Sequence, residues 1–259
     1  MSYINKKTVL HQTINNFRSF APLIRGIQMD NQIIAPSCIV ATSHFSVTDY
    51  LSEEETALYN ANKRDVKFKK GEIIAKQGSF ASHVVFLKEG LAKVFLEGNQ
   101  KDLILKIVPG DHFLNLSSVY DGNDTFIYSV STYVDSVASL ISIDVFKQLI
   151  RNNSKFAMQI INLLNTNTAQ IYGRFYCISR KQSHGRVADI LLCLSQNVFK
   201  SDSFHLNISR NDLADLTGLS AESVIRIFKE FKEEKLIGVN GKDISVLEPE
   251  KLKDISLYG

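Results

Sequence analysis

Glu222, Ile225, Arg226 and Lys229 recur at i, i+3, i+4 and i+7 within "SAESVIRIFKEFKEEK", residues 220–235. That is the spacing of one face of a helix. A guanidinium is a planar fork of donors, and a carboxylate offers paired acceptors. Arg226 is suited to guanine O6 and N7 and Glu222 to the amino group of cytosine, so the first turns carry groups for both halves of one G·C pair. The same stripe also fits a solvated face with a Glu222–Arg226 pair worth only about 0.2–0.5 kcal/mol. Composition alone leaves both readings open.

The elements that must position this face are legible around it. Val224, Ile227, Phe228 and Phe231 form a second stripe with the same spacing, about 200° away, which points the charged stripe away from a core. Ser220 is placed to cap the helix. Before it, Ser209 with Asp212 three residues on makes a capping-box variant, Leu213 and Leu216 supply buried positions, and Gly218 suits the left-handed residue that ends a helix. Two capped helices about ten residues apart with a central glycine predict a helix-turn-helix. Residues 236–252 read as a hairpin turning at Asn240-Gly241, and "HGRVADILLCLSQNVF" reads as a preceding helix. The whole has the shape of a winged DNA-binding unit.

Upstream, Val66 to Ile143 is a series of short β-branched and aromatic runs such as "HVVFL", "LAKVFL" and "DLILKIV", holding six of the thirteen glycines. Their spacing fits strands joined by tight turns in a barrel or roll. Phe156, Ile160, Leu163, Leu164, Ile171 and Phe175 then return at helical spacing. The polar Asn165–Thr168 stretch interrupts them, which predicts a long helix whose middle faces a partner or ligand. The expected division is residues 1–55, an extension without sustained period in which Met29 is a second candidate start; 56–150, a β-roll; 151–182, the long helix and hinge; and 183–259, the winged unit.

Charge and composition narrow the function. The chain carries a net +3 over 259 residues, but residues 184–259 hold ten Lys or Arg against twelve Asp or Glu. Attraction to nucleic acid must therefore come from locally placed cations. No apolar run reaches membrane-spanning length and no apolar segment follows the N-terminal lysines, so a cytoplasmic protein is expected. Cys38, Cys177 and Cys193 are three and widely spaced, which argues against a disulfide framework or metal site and for inert thiols. No nucleophile motif, metalloprotease motif, phosphate-binding loop or dinucleotide fingerprint is present, so no enzymatic activity is expected.

Taken together, "KKGEIIAKQG", "VPGDHF", "HGRVADILL" and "SRNDLADLTGLSAESVIRIFKEF" resemble the Crp/Fnr family of transcription regulators in order and spacing, over about residues 59–247. The resemblance implies an α+β fold: an N-terminal antiparallel, jelly-roll-like β-roll for an effector, a long dimerisation helix, and a C-terminal winged helix-turn-helix. It also implies a homodimer on a near-palindromic operator, with RNA polymerase as a protein partner. Glu222 and Arg226 match the family's base-reading residues. Ala221 stands where cyclic-AMP-responsive members have an arginine, and Ile225 where the Fnr branch has a serine, so the half-site core is expected to be shared and its flanks to differ. The full set expected at DNA is Ser209, Arg210, Ser220, Glu222, Ser223, Ile225, Arg226 and Lys229.

The effector side departs further from the family. The positions that hold ribose and cyclic phosphate in nucleotide-binding members are Asn115, Thr125 and Phe126 here, and the base-contacting pair on the long helix is Ile171-Tyr172. Cyclic AMP is therefore not expected, and three cysteines are too few for a four-cysteine iron–sulfur cluster. An unidentified, mostly apolar or planar effector against Leu114, Asn115, Leu116, Thr125, Phe126, Ile171 and Tyr172 is expected. Haem through His83 or His112, in a nitric-oxide-responsive regulator, and a sensor module acting on a partner protein are the alternatives.

Overall fold

The computed structural model describes residues 46–99 and 101–258, Val40, and the backbone of 28–29 and 32–33. Residues 1–36 form a unit of their own, whose described part is an antiparallel pair, β1 (Gln28–Met29) and β2 (Gln32–Ile33). The rest of the extension before residue 46 apart from Val40, Cys38 included, lies outside the described residues.

In the second unit, eight short strands pair into two four-stranded antiparallel sheets. One, in the order β3-β10-β5-β8, contains β3 (Lys63–Phe68), β5 (His83–Glu89), β8 (His112–Phe113) and β10 (Ser136–Ser142); the other, β4-β9-β6-β7, contains β4 (Ile73–Ala75), β6 (Leu91–Leu96), β7 (Leu103–Pro109) and β9 (Ser129–Thr132). Val84, Leu87 and Ile141 of the first and Val94, Val108 and Val130 of the second are buried in one hydrophobic core. Gly90 turns β5 into β6 with φ +110°, and a Cβ there would meet Ser136 Oγ at 2.1 Å. Both the left-handed backbone and the close approach call for glycine. A chain of edge-to-face rings, Phe86–Phe113–Phe146–Phe156, at centroid distances of 5.0, 5.6 and 5.4 Å, extends this core into the helices that follow. Each such pair contributes about 0.5–1.5 kcal/mol beyond the area it buries.

Those helices are α2 (Ile143–Asn152) and the 27-residue α3 (Ser154–Arg180); α1 (Glu53–Ala61) precedes the roll. Asn153 ends α2 and caps α3, its Oδ1 accepting from Phe156 N–H at 2.9 Å. Phe156, Ile160 and Leu163 face the roll, whereas Ile171, Tyr172 and Phe175 are exposed. The seam read as one apolar face in the sequence is thus two faces.

The C-terminal part contains α4 (Ser183–Cys193), β11 (Ser203–His205), α5 (Arg210–Thr217), α6 (Ala221–Glu233), β12 (Ile237–Asn240), β13 (Asp243–Val246) and α7 (Pro249–Tyr258). Its sheet runs β11-β13-β12. Asn240 pairs with Asp243, so the hairpin turns at Gly241-Lys242, with Gly241 at φ +59°. This is one residue later than the sequence suggested, and it suits a turn whose first central residue must be left-handed. Sequence reading also passed over α7, although Pro249 occupies its first position, where proline is favoured. Leu252 of α7 is fully buried in a core shared with Leu213, Leu216, Val224, Ile227 and Phe231. That core is continuous with Leu91, Phe95, Ile104 and Ile107 of the roll.

Of the two described cysteines, Cys177 fits the expected buried, inert thiol, whereas Cys193 departs from the expectation of no disulfide. Cys177 is free, and burial first, then Asp189, pushes its thiol up to about 12. Cys193 is disulfide-bonded.

Candidate functional site

The caps of α5 and α6 set the geometry of the candidate reading face. Ser209 Oγ accepts from Asp212 N–H at 3.0 Å, and Ser220 Oγ accepts from Ser223 N–H at 3.2 Å. Asp212 does not complete the box to the Ser209 backbone; its carboxylate takes the Ser209 hydroxyl and Lys93 instead. Gly218 ends α5 at φ +65°. Val224, Ile227, Phe228 and Phe231 are buried, which fixes the rotation of α6 and turns Glu222, Ile225, Arg226 and Lys229 outward.

On that outer face the Glu222–Arg226 pair is not formed. Arg226 Nη1 lies 3.9 Å from Glu230 Oε1 and Lys229 Nζ 3.7 Å from Glu233 Oε1, with the cationic side chains 63% and 75% exposed. Exposed pairs of this kind hold their partners weakly, by about 0.2–1 kcal/mol. Both cations are therefore free to exchange them for a polyanion. Backbone N–H at the start of α6, then the Ser220 hydroxyl, holds the Glu222 carboxyl below its ordinary range, so it is an ionised acceptor. Ser209 and Ser220 are exposed at the helix starts and Ser223 is half-buried beside its cap. Arg210 turns back: its guanidinium carbon sits 4.2 Å from the centroid of Phe228, so it braces α5 against α6 rather than projecting with the others.

A second feature lies between the roll and α3. A cavity of about 260 Å³ is walled by Leu105, Leu114, Leu116, Ile127, Leu164 and Ile171, with Lys106, Tyr128, Asn167 and Arg174 as its principal polar groups. Leu114, Leu116 and Ile171 of the sequence-predicted effector set are among its walls. The other four are placed elsewhere. Asn115 is fully buried, its carboxamide joining Val85 N–H and His83 C=O at 2.7 and 2.9 Å. Thr125 is tied to Asn123 in a turn, Phe126 is in the roll core and clamps the Gly78 turn through its backbone, and Tyr172 is 67% exposed. Asn167 and Thr168, from the polar middle of the long helix, do face the cavity.

Sequence reading missed Lys106 and Arg174. Register shifts between Val94 and Phe95, with Val94 opposite Lys106 and Phe95 opposite Ile104, leaving Leu105 as an extra residue. A bulge re-aims side chains, and Leu105 and Lys106, neighbours that simple alternation sends to opposite faces, both line the cavity. Burial of Arg174 between α3 and β7 has no local signal either. Its guanidinium donates to the carbonyls of Ile104 and Leu105 and, at 3.4 Å, to that of Asp215 on α5. Lys93 and Lys101, from the roll, pair with Asp212 and Asp215 on α5. One junction thus connects the cavity wall to the helix pair that carries the candidate reading face.

His83 and His112 are engaged locally, through Ser82 Oγ and the Gly110 carbonyl, each at 2.7 Å. Among the described residues no group of three or more His, Cys, Asp or Glu is arranged to hold a metal ion. Nor is any described helix long and apolar enough to cross a membrane.

A β-roll, a long helix and a winged helix-turn-helix with an outward acceptor–donor stripe define a DNA-binding regulator. Comparison with known proteins agrees. Residues 65–153 match the cyclic nucleotide-binding domain model and residues 185–255 the Crp-like helix-turn-helix domain model. The chain is similar to the transcriptional activator protein Anr of Pseudomonas protegens (25% identity over 225 residues, 85% of this chain and 88% of the relative). It is also similar to the cAMP-activated global transcriptional regulator CRP of Escherichia coli (26% identity; 70% and 88%). Its fold resembles that of FixK2 from Bradyrhizobium japonicum, with a TM-score of 0.68 at 16% identity over 74% of this chain and 96% of that one. The chain belongs to the Crp/Fnr family of transcription regulators, and it is a DNA-binding regulator rather than an enzyme.

Proposed function

We propose that the protein acts as a cytoplasmic homodimer that reads a near-palindromic operator with α6 and is switched by a small effector in the cavity beneath the roll. The observation that carries the DNA reading is the α6 face: an ionised acceptor and two weakly held cations on a helix whose rotation is fixed by a buried opposite stripe. Glu222 and Arg226 read one G·C pair per half-site, Ile225 meets a thymine methyl beside it, and Lys229 reaches phosphate. Ser209, Ser220 and Ser223 lie close enough to the helix starts to bond the backbone.

The dimer reading rests on the exposed side of α3. Met158, Ile161, Tyr172 and Phe175 are 53%, 48%, 67% and 74% exposed there, more apolar surface than a lone helix face tolerates in water. A second copy packed along it sets two α6 helices to face successive major grooves, about 34 Å apart. The effector reading rests on the Arg174 junction, which ties the cavity wall to α5.

Titrating promoter DNA from the host against the protein at about 50 and about 200 mM salt tests this. Displacement of condensed counterions predicts a loss of affinity well above tenfold across that range. Weak binding with a flat salt response refutes it, and points to a winged unit that has become a protein-binding surface.

A further inference from the structure

The cavity has an uneven charge. Lys106 and Arg174 line it, and none of the described residues lining it is Asp or Glu. Among the described residues no carboxylate lies within ion-pair distance of Lys106, whose Nζ contacts only Asn167 Oδ1, at 3.3 Å. Burial, the sole cause, brings the Lys106 amine down to about 8, still largely protonated at neutral pH. Arg174 is 9% exposed, and its Nε–H has no hydrogen-bond partner among the described residues. The remaining titratable group, Tyr128, is pushed up to about 12 by burial and donates its hydroxyl to the Leu114 carbonyl at 2.9 Å. It is a neutral phenol and does not offset the two cations. A lysine desolvated without a counter-ion is unfavourable in the empty protein, and a ligand that carries the missing charge removes that penalty. The rest of the described wall is uncharged, mainly Leu, Ile, Val and Phe with Ser117, Asn167, Thr168 and Gln170 among them, and supplies no third cation.

We propose that the effector is a small monoanion with an apolar body, a monocarboxylate whose charge meets Lys106 beside Arg174 while its hydrocarbon or ring lies against Leu114, Leu116, Leu164 and Ile171. The proposal rests on the effector reading above and names its chemical class. The volume, about 260 Å³, lies near the lower end of small-molecule pockets, about 300–1,000 Å³, which suits a small ligand. A cyclic nucleotide fits this wall poorly. Thr125 and Phe126, aligned with the family's phosphate-holding positions, lie off the cavity. The charge enters on β7, in the strand whose carbonyls Arg174 holds while also bonding α5, so an anion drawing on Arg174 acts directly on the junction with the winged unit.

Calorimetric titration of the full chain with hexanoate, phenylacetate and cinnamate, each beside its neutral amide, and with cyclic AMP tests the proposal. At least one acid is expected to bind, at least tenfold more tightly than its amide. Lys106→Met should abolish the acid's advantage and Lys106→Arg should keep most of it. Absence of acid binding, equal binding of acid and amide in the wild type, or tighter binding of cyclic AMP than of every acid overturns the proposal. The acid–amide comparison needs no variant, so a misfolded Lys106→Met leaves it decisive. DNA binding measured on the same preparation separates a wrong ligand class from a wrong reading of the regulator.

Discussion

Replacing Arg226 by alanine separates base reading from charge attraction. In the free protein its loss removes a 3.9 Å pair with Glu230 on an exposed face, so stability should change by no more than about 0.5 kcal/mol. In the complex, each bidentate arginine–guanine contact discriminates by about 1–3 kcal/mol. A two-fold complex makes it twice, so the loss on operator DNA is about 2–6 kcal/mol, or roughly 30-fold to 10⁴-fold. On scrambled DNA only one phosphate-range cation per protomer disappears, and the effect there should be several-fold and shrink with salt. Fluorescence anisotropy with operator and scrambled duplexes of equal length, at two salt concentrations, reads both losses. Equal losses on the two sequences would refute the reasoning and reduce the stripe to a phosphate contact.

Other outcomes follow from the same geometry. Gly218→Ala places a Cβ at φ +65° with ordinary contact to Ile178, so backbone strain dominates and thermal unfolding should show about 1–2 kcal/mol of destabilisation. Phe231→Ala empties a site 1% exposed and should cost about 3–5 kcal/mol, seen in denaturant titration. Lys106 is about 8 when folded against roughly 10.4 unfolded. Between those values the unfolded chain holds more protons, so this group makes stability rise with pH there and contributes its full penalty below. The melting temperature of the wild type should therefore gain on that of Lys106→Met between about pH 8 and pH 10; parallel curves contradict it. Phe175→Glu, on the exposed side of α3, should shift sedimentation from dimer to monomer and weaken operator binding with it.

How far the sequence reached depended on whether a feature was local. The rotation of α6 was legible because four apolar residues at helical spacing, a serine cap and a left-handed glycine all lie within the one short stretch from Gly218 to Phe231. The two sheets were legible for the same reason, through alternation and glycine turns. Lys106 was not, because one extra residue in β7 cancels the alternation on which the reading depends. Arg174 was not either: its role comes from carbonyls 70 and 41 residues away, and a helical arginine in a basic stretch gives no hint of burial. Asn115 shows the converse. Its place in the family's pocket-forming segment was readable, but the use of its amide to staple two roll segments is settled only by packing.

The central claim is that two copies of α6 read a two-fold sequence containing G·C pairs. Selection of bound duplexes from a fully randomised library, at low salt and with the purified full chain, addresses it directly. Enrichment of a palindrome with a G·C pair in each half and half-sites about one helical turn apart is the predicted result. Retained duplexes with no shared motif, or with a motif lacking two-fold symmetry, would contradict it.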